Sequence, residues 1–185
     1  MKTYEVAGCA ALAAISAAFQ IVHVGYPTPW GMWLDVVTIP WILAFFLYCL
    51  KGSLVVSVLG ALIITLVAPS TWLGASMKWL ATLPMWLMLG VWCKVFRLKL
   101  KDFGRLKVLL PCLAVAIVIR GLIMIPAWCA ALPLWLGWSF EQATNFALSI
   151  WYIIFGLNGV QGLIDVLGAW LIMFKFRLTR FATWE

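Results

Sequence analysis

The stretch Phe155–Ile172, FGLNGVQGLIDVLGAWLI, is apolar enough to cross a bilayer, yet it carries Asn158, Gln161 and Asp165. These three groups stand three and then four residues apart, so an α-helix places them on one face. Polar side chains are costly in hydrocarbon unless they face a bundle interior or a wet cavity. The stretch therefore reads as one membrane helix among several, with this face turned inward.

Composition extends that reading to the whole chain. Of 185 residues, 66% are hydrophobic and 10% charged, and the mean hydropathy is +1.08, well above a soluble domain. A helix needs about 20 apolar residues to cross the hydrocarbon at about 1.5 Å rise per residue. Six stretches approach that length, at 5–24, 32–49, 52–67, 75–96, 106–127 and 147–174, the third being short. They fill the chain. The expectation is an all-α integral membrane protein with a single domain over 1–185, a compact bundle of six transmembrane helices. The apolar runs are continuous and do not alternate, which argues against a β-barrel. The first ends in FQIVHV and not at a small-residue cleavage site, so it reads as a retained helix.

Basic residues set the expected orientation. With both termini cytoplasmic, Lys2, Lys51, the loop KVFRLKLKDFGRLK and the tail KFRLTR fall inside, whereas GYPTPWGMW, APSTWLG and ALPLWLGWSFEQATN fall outside. No Lys or Arg is left in an outer loop. The net charge of +7 is then explained by a multi-pass position in the cell membrane and by attraction to anionic lipid heads. Nucleic-acid binding is unnecessary to explain it, because the basic residues follow alternate loops and form no single patch.

Five cysteines, Cys9, Cys49, Cys93, Cys112 and Cys129, lie singly in or beside apolar segments without metal-ligand pairing. They read as small buried hydrophobes. His23 stands alone, with no second His and no flanking Cys, so no metal site is expected.

The remaining polar groups at membrane depth carry the functional signal. Asp35 and Thr38 sit at the outer start of the second segment, Lys78 near the outer start of the fourth, and Arg120 past the midplane of the fifth. They either tie helices together, at about 1 kcal/mol each, or line an outward pocket. Convergence on the outer half favours a pocket for Asn158, Lys78 and Arg120, and helix-tying for the deeper Asp165. Thirteen tryptophans add to this. Trp92 and Trp184 fit an interfacial belt. Trp30, Trp33, Trp41, Trp72, Trp79, Trp128, Trp135, Trp138 and Trp151 crowd the outer side. The belt accounts for some of these, and stacking on a flat heterocyclic ligand is the other reading.

In AALAAISAAF, Ala10, Ala14 and Ala18 recur every four residues, a spacing that admits close approach of another helix, from the same bundle or from a partner. With six helices, this first helix, the entry WLDVVTIPWILAFFLYCLKGSLVVSVLGALI, the segment WLGASMKWLATLP and FGLNGVQGLIDVLGAWLI, the chain resembles the substrate-binding S components of energy-coupling-factor vitamin transporters. The likeness covers nearly the whole chain and is nearest to the riboflavin-specific branch.

That resemblance implies a non-enzymatic protein that captures a vitamin or related micronutrient from outside. It also implies association with a transmembrane coupling subunit and two ATPase subunits. The chain has no G-x-x-x-x-G-K-[ST] loop, so ATP hydrolysis falls to partners. No cofactor is implied. Carried over position by position, the likeness assigns docking to Ala10, Ala14 and Ala18, and ligand contact to Asp35, Thr38, Lys78, Trp79 and Asn158, with Gln161 deeper. Lys78 stands where the branch tends to have Asn, Thr38 where it tends to have a second acidic residue, and Arg120 has no counterpart. Two cations near the pocket point to a ligand with an anionic group. Two further classes stand beside this reading: a structural or assembly membrane protein without a pocket, and a small intramembrane enzyme. For the enzyme, Asp35 and Asp165 fall at opposite ends of their helices, and no Ser-His or Cys-His grouping is evident.

Overall fold

The computed structural model describes residues 1–68 and 71–184. Long apolar runs satisfy their own backbone best as helices. α1 (Thr3–Val22) leads into an antiparallel hairpin of β1 (Gly25–Pro27) and β2 (Trp33–Asp35), with Gly25 paired to Asp35. There follow α2 (Ile39–Val67), α3 (Thr71–Val95), the single turn α4 (Leu100–Phe103), α5 (Leu106–Leu136), α6 (Phe140–Ser149) and α7 (Trp151–Trp170). A π-helical turn, Leu171–Lys175, and a 3-10 turn, Leu178–Phe181, end the described chain.

Among the described residues, four helices are long and apolar enough to cross a membrane: α1, α2, α5 and α7 with its π-helical extension. α2 is broken at Cys49, where φ is 60° and ψ is −163°. Ser53 Oγ donates to the carbonyl of Trp41 at 2.9 Å. Twelve residues of straight helix span about 18 Å, so the chain must reverse at the break. The two arms, 39–48 and 50–67, lie side by side.

The helices pack in the order α1, α2, α3, α5 and α7, with α7 returning to α2 and α6 lying on α5. Thr183 N–H donates to Leu47 O at 2.9 Å beside the Cys49 break, and Gly8 of α1 lies against Tyr48. Both ends of the described chain therefore share one end of the bundle. There Phe45, Phe46, Phe103, Phe174 and Trp184 meet edge to face, with ring centroids 5.5 to 6.5 Å apart. The Trp184 indole N–H is shared between the carbonyls of Phe45 and Phe46.

Several sequence expectations shift. The second stretch, expected as helix over 32–49, begins as strand and turns helical only at Ile39, where Pro40 sits in the first turn with no N–H to satisfy. The fifth runs beyond 127 to Leu136 despite Pro111, Pro126 and Pro133, because neighbouring helices resupply partners that a proline removes. The expected outer loop ALPLWLGWSFEQATN is thus largely the end of α5 and the start of α6, which Ser139 caps by accepting from Gln142 N. The sixth stretch is divided at Ile150 between α6 and α7. The APSTWLG loop contains Pro69 and Ser70, which lie outside the described residues.

Candidate ligand-binding site

The first arm of α2 has ten residues and spans about 15 Å, half the hydrocarbon thickness. Its partner helices are longer, so a space remains above its start, at the end of the bundle opposite the aromatic cluster. The β1–β2 hairpin covers that space. A cavity of about 520 Å³ lies there, within the roughly 300–1,000 Å³ typical of small-molecule sites. α1, the hairpin, α2, α3, α5 and α7 all contribute to its lining.

The hairpin is shaped by two glycines. Gly31, at φ 79°, sits in the five-residue connection Thr28–Met32, which Thr28 N–H closes by donating to Met32 O at 2.7 Å, and its left-handed backbone suits glycine. At Gly25 an added Cβ would stand 2.5 Å from Leu34 O and 2.8 Å from Asp35 Cβ, so β1 can approach β2 only as glycine. Thr28 fastens the loop by accepting from and donating to Met32.

One polar network forms the floor. Asp165 Oδ1 accepts from Thr38 Oγ1 at 2.6 Å and from Gln161 Nε2 at 2.7 Å, while its Oδ2 accepts from Arg120 Nη1 at 3.0 Å. Arg120 Nε donates to Asn158 Oδ1 at 3.1 Å, and Asn158 Nδ2 donates to Ile154 O at 2.9 Å. Gln161 also holds β2, accepting from Asp35 N at 2.9 Å and donating to Asp35 O at 2.7 Å. Lys78 forms an ion pair with Asp35 and donates to Gln20 Oε1 at 3.2 Å. The second oxygen of Asp35 accepts from Val37 N at 3.0 Å. The hairpin, α1, α2, α3, α5 and α7 are thereby linked through one set of bonds.

Six of the residues singled out in the sequence line the cavity: Asp35, Thr38, Lys78, Arg120, Asn158 and Gln161. Trp79 does not; its indole N–H donates to Ser57 Oγ at 3.2 Å in the seam between α2 and α3. Asp165 lies beneath the lining, fully enclosed. Asn158 is also fully enclosed, with both ends of its amide engaged. The expectation of an anionic ligand rested on two uncompensated cations. Both cations are paired, Lys78 with Asp35 and Arg120 with Asp165, so that argument falls. Lys78 and Arg120 still have donor capacity. The ammonium has one hydrogen beyond its two bonds. Arg120 Nη2 bonds to no described residue and is not sealed from the cavity.

The walls were half visible in the sequence, which singles out the outer tryptophans but none of the methionines. These walls are Met32, Met77, Met124, Trp33, Trp128 and Trp135, with Gln20 and His23 at the end of α1. His23 stands edge-on to Trp33 with ring centroids 5.6 Å apart, and its Nδ1 donates to Ile21 O at 2.9 Å. The other outer tryptophans lie elsewhere: Trp41 is fully buried and donates to Ser16 Oγ at 2.9 Å, and Trp30, Trp72 and Trp151 are exposed. A run of such residues on helices gives no clue to which ring turns inward until the packing is known.

On α1, Ala10, Ala14 and Ala18 are all exposed, whereas Ala13 and Ala17 on the neighbouring face are buried against the bundle. Among the described residues, no group of three or more His, Cys, Asp or Glu is placed to hold a metal ion. Compared with protein-family models, curated proteins and solved structures, the chain matches none.

Proposed function

We propose that the protein is the membrane-embedded substrate-binding subunit of an energy-coupling-factor importer, capturing riboflavin or a related heterocyclic micronutrient from outside. The observation that carries this reading is the cavity of about 520 Å³ beneath the hairpin, which combines a hydrogen-bonded polar floor with aromatic and thioether walls. A protein whose polar residues only tie helices has no need of such a space. Trp33, Trp128 and Trp135 offer faces for a flat ring, and Lys78 and Arg120 offer donors to carbonyl or ring-nitrogen acceptors.

In this reading the chain crosses the membrane six times, the two arms of α2 counting separately, with both termini cytoplasmic. Of the 13 Lys and Arg residues, all but Lys78 and Arg120 belong to the end that holds the termini, the Cys49 break and the α3–α5 linker. That asymmetry matches the cytoplasmic excess of basic residues in membrane proteins. The cavity then faces outward. The exposed Ala10, Ala14 and Ala18 stripe is the docking face for a transmembrane coupling subunit that works with two ATPases. The protein itself is not an enzyme.

Tryptophan fluorescence of the purified protein, titrated with flavins and other heterocyclic vitamins, tests this directly. Saturable quenching at submicromolar ligand is expected from one compound class, weakened at least tenfold by Trp33→Ala and by Met124→Trp, which fills the cavity. Folded protein left unquenched across the panel overturns the proposal.

A further inference from the structure

A second cavity, of about 640 Å³, lies at the opposite end of the bundle. Its lining combines Lys99, Lys101 and Arg180 with the Thr179 hydroxyl and an apolar wall of Leu100, Phe174 and Trp184. Among the described residues, no acidic side chain lines it. None of the three cations forms a salt bridge with a described residue. Asp102, next to Lys101, accepts at Oδ2 from the backbone N–H of Lys99 at 2.9 Å.

Position narrows what the cavity can take. Apart from Phe174, at the end of a candidate membrane span, its residues come from segments just beyond two such spans, before Leu106 of α5 and after Lys175. Such segments sit at headgroup level. Phe176 and Phe181 stand exposed beside it, with the Arg180 guanidinium 4.7 Å above the Phe181 ring. Arg97, Arg105, Lys107, Lys175 and Arg177 surround it in sequence and add to the local positive potential. The indole N–H of Trp184 is already bonded to backbone carbonyls, so its ring serves as wall.

From this combination we infer that the cavity holds the phosphate of an anionic phospholipid. Lys99, Lys101 and Arg180 bind the phosphate oxygens, Thr179 donates a hydrogen bond, and the acyl chains lie along the Phe174 and Trp184 side. A soluble phosphorylated metabolite shares the phosphate chemistry but has no use for the apolar wall. The orientation proposed above enters only in assigning the site to the inner leaflet, where anionic lipids concentrate.

Native mass spectrometry of the detergent-solubilised full chain tests the site with phosphatidylglycerol, phosphatidylcholine and inorganic phosphate as separate probes. Phosphatidylglycerol adducts are expected to persist at collision energies that strip phosphatidylcholine. In the variant Lys99→Gln/Lys101→Gln/Arg180→Gln, phosphatidylglycerol affinity should fall by roughly tenfold or more, while inorganic phosphate competes only at millimolar concentration. A folded variant with unchanged phosphatidylglycerol retention overturns the inference. So does equal retention of the two lipids by the native chain, or phosphate binding as tight as lipid binding. Fluorescence titration of the same variant keeps the two proposals apart, because the outer cavity lies at the other end of the bundle and should bind as before.

Discussion

The Arg120–Asp165 pair gives the sharpest test of the polar floor. Both side chains are almost wholly buried, and their nearest atoms are 3.0 Å apart. In Arg120→Leu, Asp165 keeps the Thr38 and Gln161 donors but loses its counter-charge. Breaking a buried pair on one side costs about 3–5 kcal/mol. A chain unfolded in a micelle also finds partners for its polar groups, so the lower end, about 3 kcal/mol, applies. Asp165→Leu leaves a buried guanidinium and also strands the Thr38 hydroxyl and a Gln161 amide hydrogen, which brings the cost to about 4 kcal/mol. The double variant removes both charges and keeps only the stranded neutral groups, so it should cost about 2 kcal/mol, far less than the sum. Reversible unfolding in mixed detergent–SDS micelles, followed by tryptophan fluorescence, measures all three. Additivity within about 0.5 kcal/mol, or single variants that are nearly neutral, would refute the account of the floor as one charge-balanced unit.

Other consequences are smaller in stability and larger in binding. Lys78→Met removes a lysine that is 22% exposed but leaves Asp35, only 7% exposed, without its counter-charge, so stability should fall by about 2 kcal/mol, between the surface and fully buried limits, while calorimetric ligand affinity drops at least tenfold through loss of the free ammonium hydrogen. Gly25→Val drives a side chain into Leu34 O; the hairpin is displaced, and hydrogen exchange should accelerate at 25–35 while the aromatic cluster stays protected. Ala14→Trp places a bulky ring on an exposed face of α1, so folding and ligand titration should be unchanged, but co-purification with the proposed coupling subunit, and the cellular uptake that the proposed function entails, should be lost.

The inward face of α7 was legible because spacing on a helix is fixed by geometry: Asn158, Gln161 and Asp165 do share a buried face. Membrane character was equally legible, since it follows from composition. The reversal near Cys49 was legible too: one apolar stretch ends at 49, the next opens at 52, and Lys51 lies between them. That the chain turns back on itself so tightly, with Ser53 bonded to Trp41, depends on contacts across the arms. The hairpin was misread. Trp33, Leu34 and Asp35 extend an apolar run, and only pairing with Gly25–Pro27 makes them strand. Lys78 and Arg120 were found as unusual residues, but their charge state toward a ligand depends on partners 43 and 45 positions away, which no local pattern discloses.

The pairing changes which residues can discriminate between ligands. Exchanging Asn158 or Gln161 alters the attachment of α5 or of β2 to α7 before it alters any ligand contact, because both amides are spent on protein partners. A buried network that is fully satisfied is rigid, and disturbing one member leaves others unpaired. On the proposed function, selectivity between related heterocycles therefore falls to groups with unused capacity: the rings of Trp33, Trp128 and Trp135, the thioethers of Met32, Met77 and Met124, and the spare donors of Lys78 and Arg120. Trp33 and Met32 belong to the hairpin, which is held to α7 through Asp35 and Gln161 and to α3 through Lys78. On the proposed function, a ligand acceptor takes the third ammonium hydrogen of Lys78 and leaves its bonds to Asp35 and Gln20 in place. The cover then stays fastened through Gln161 and Lys78 together while ligand is bound, and the selective contact adds to the network without unpairing any member of it.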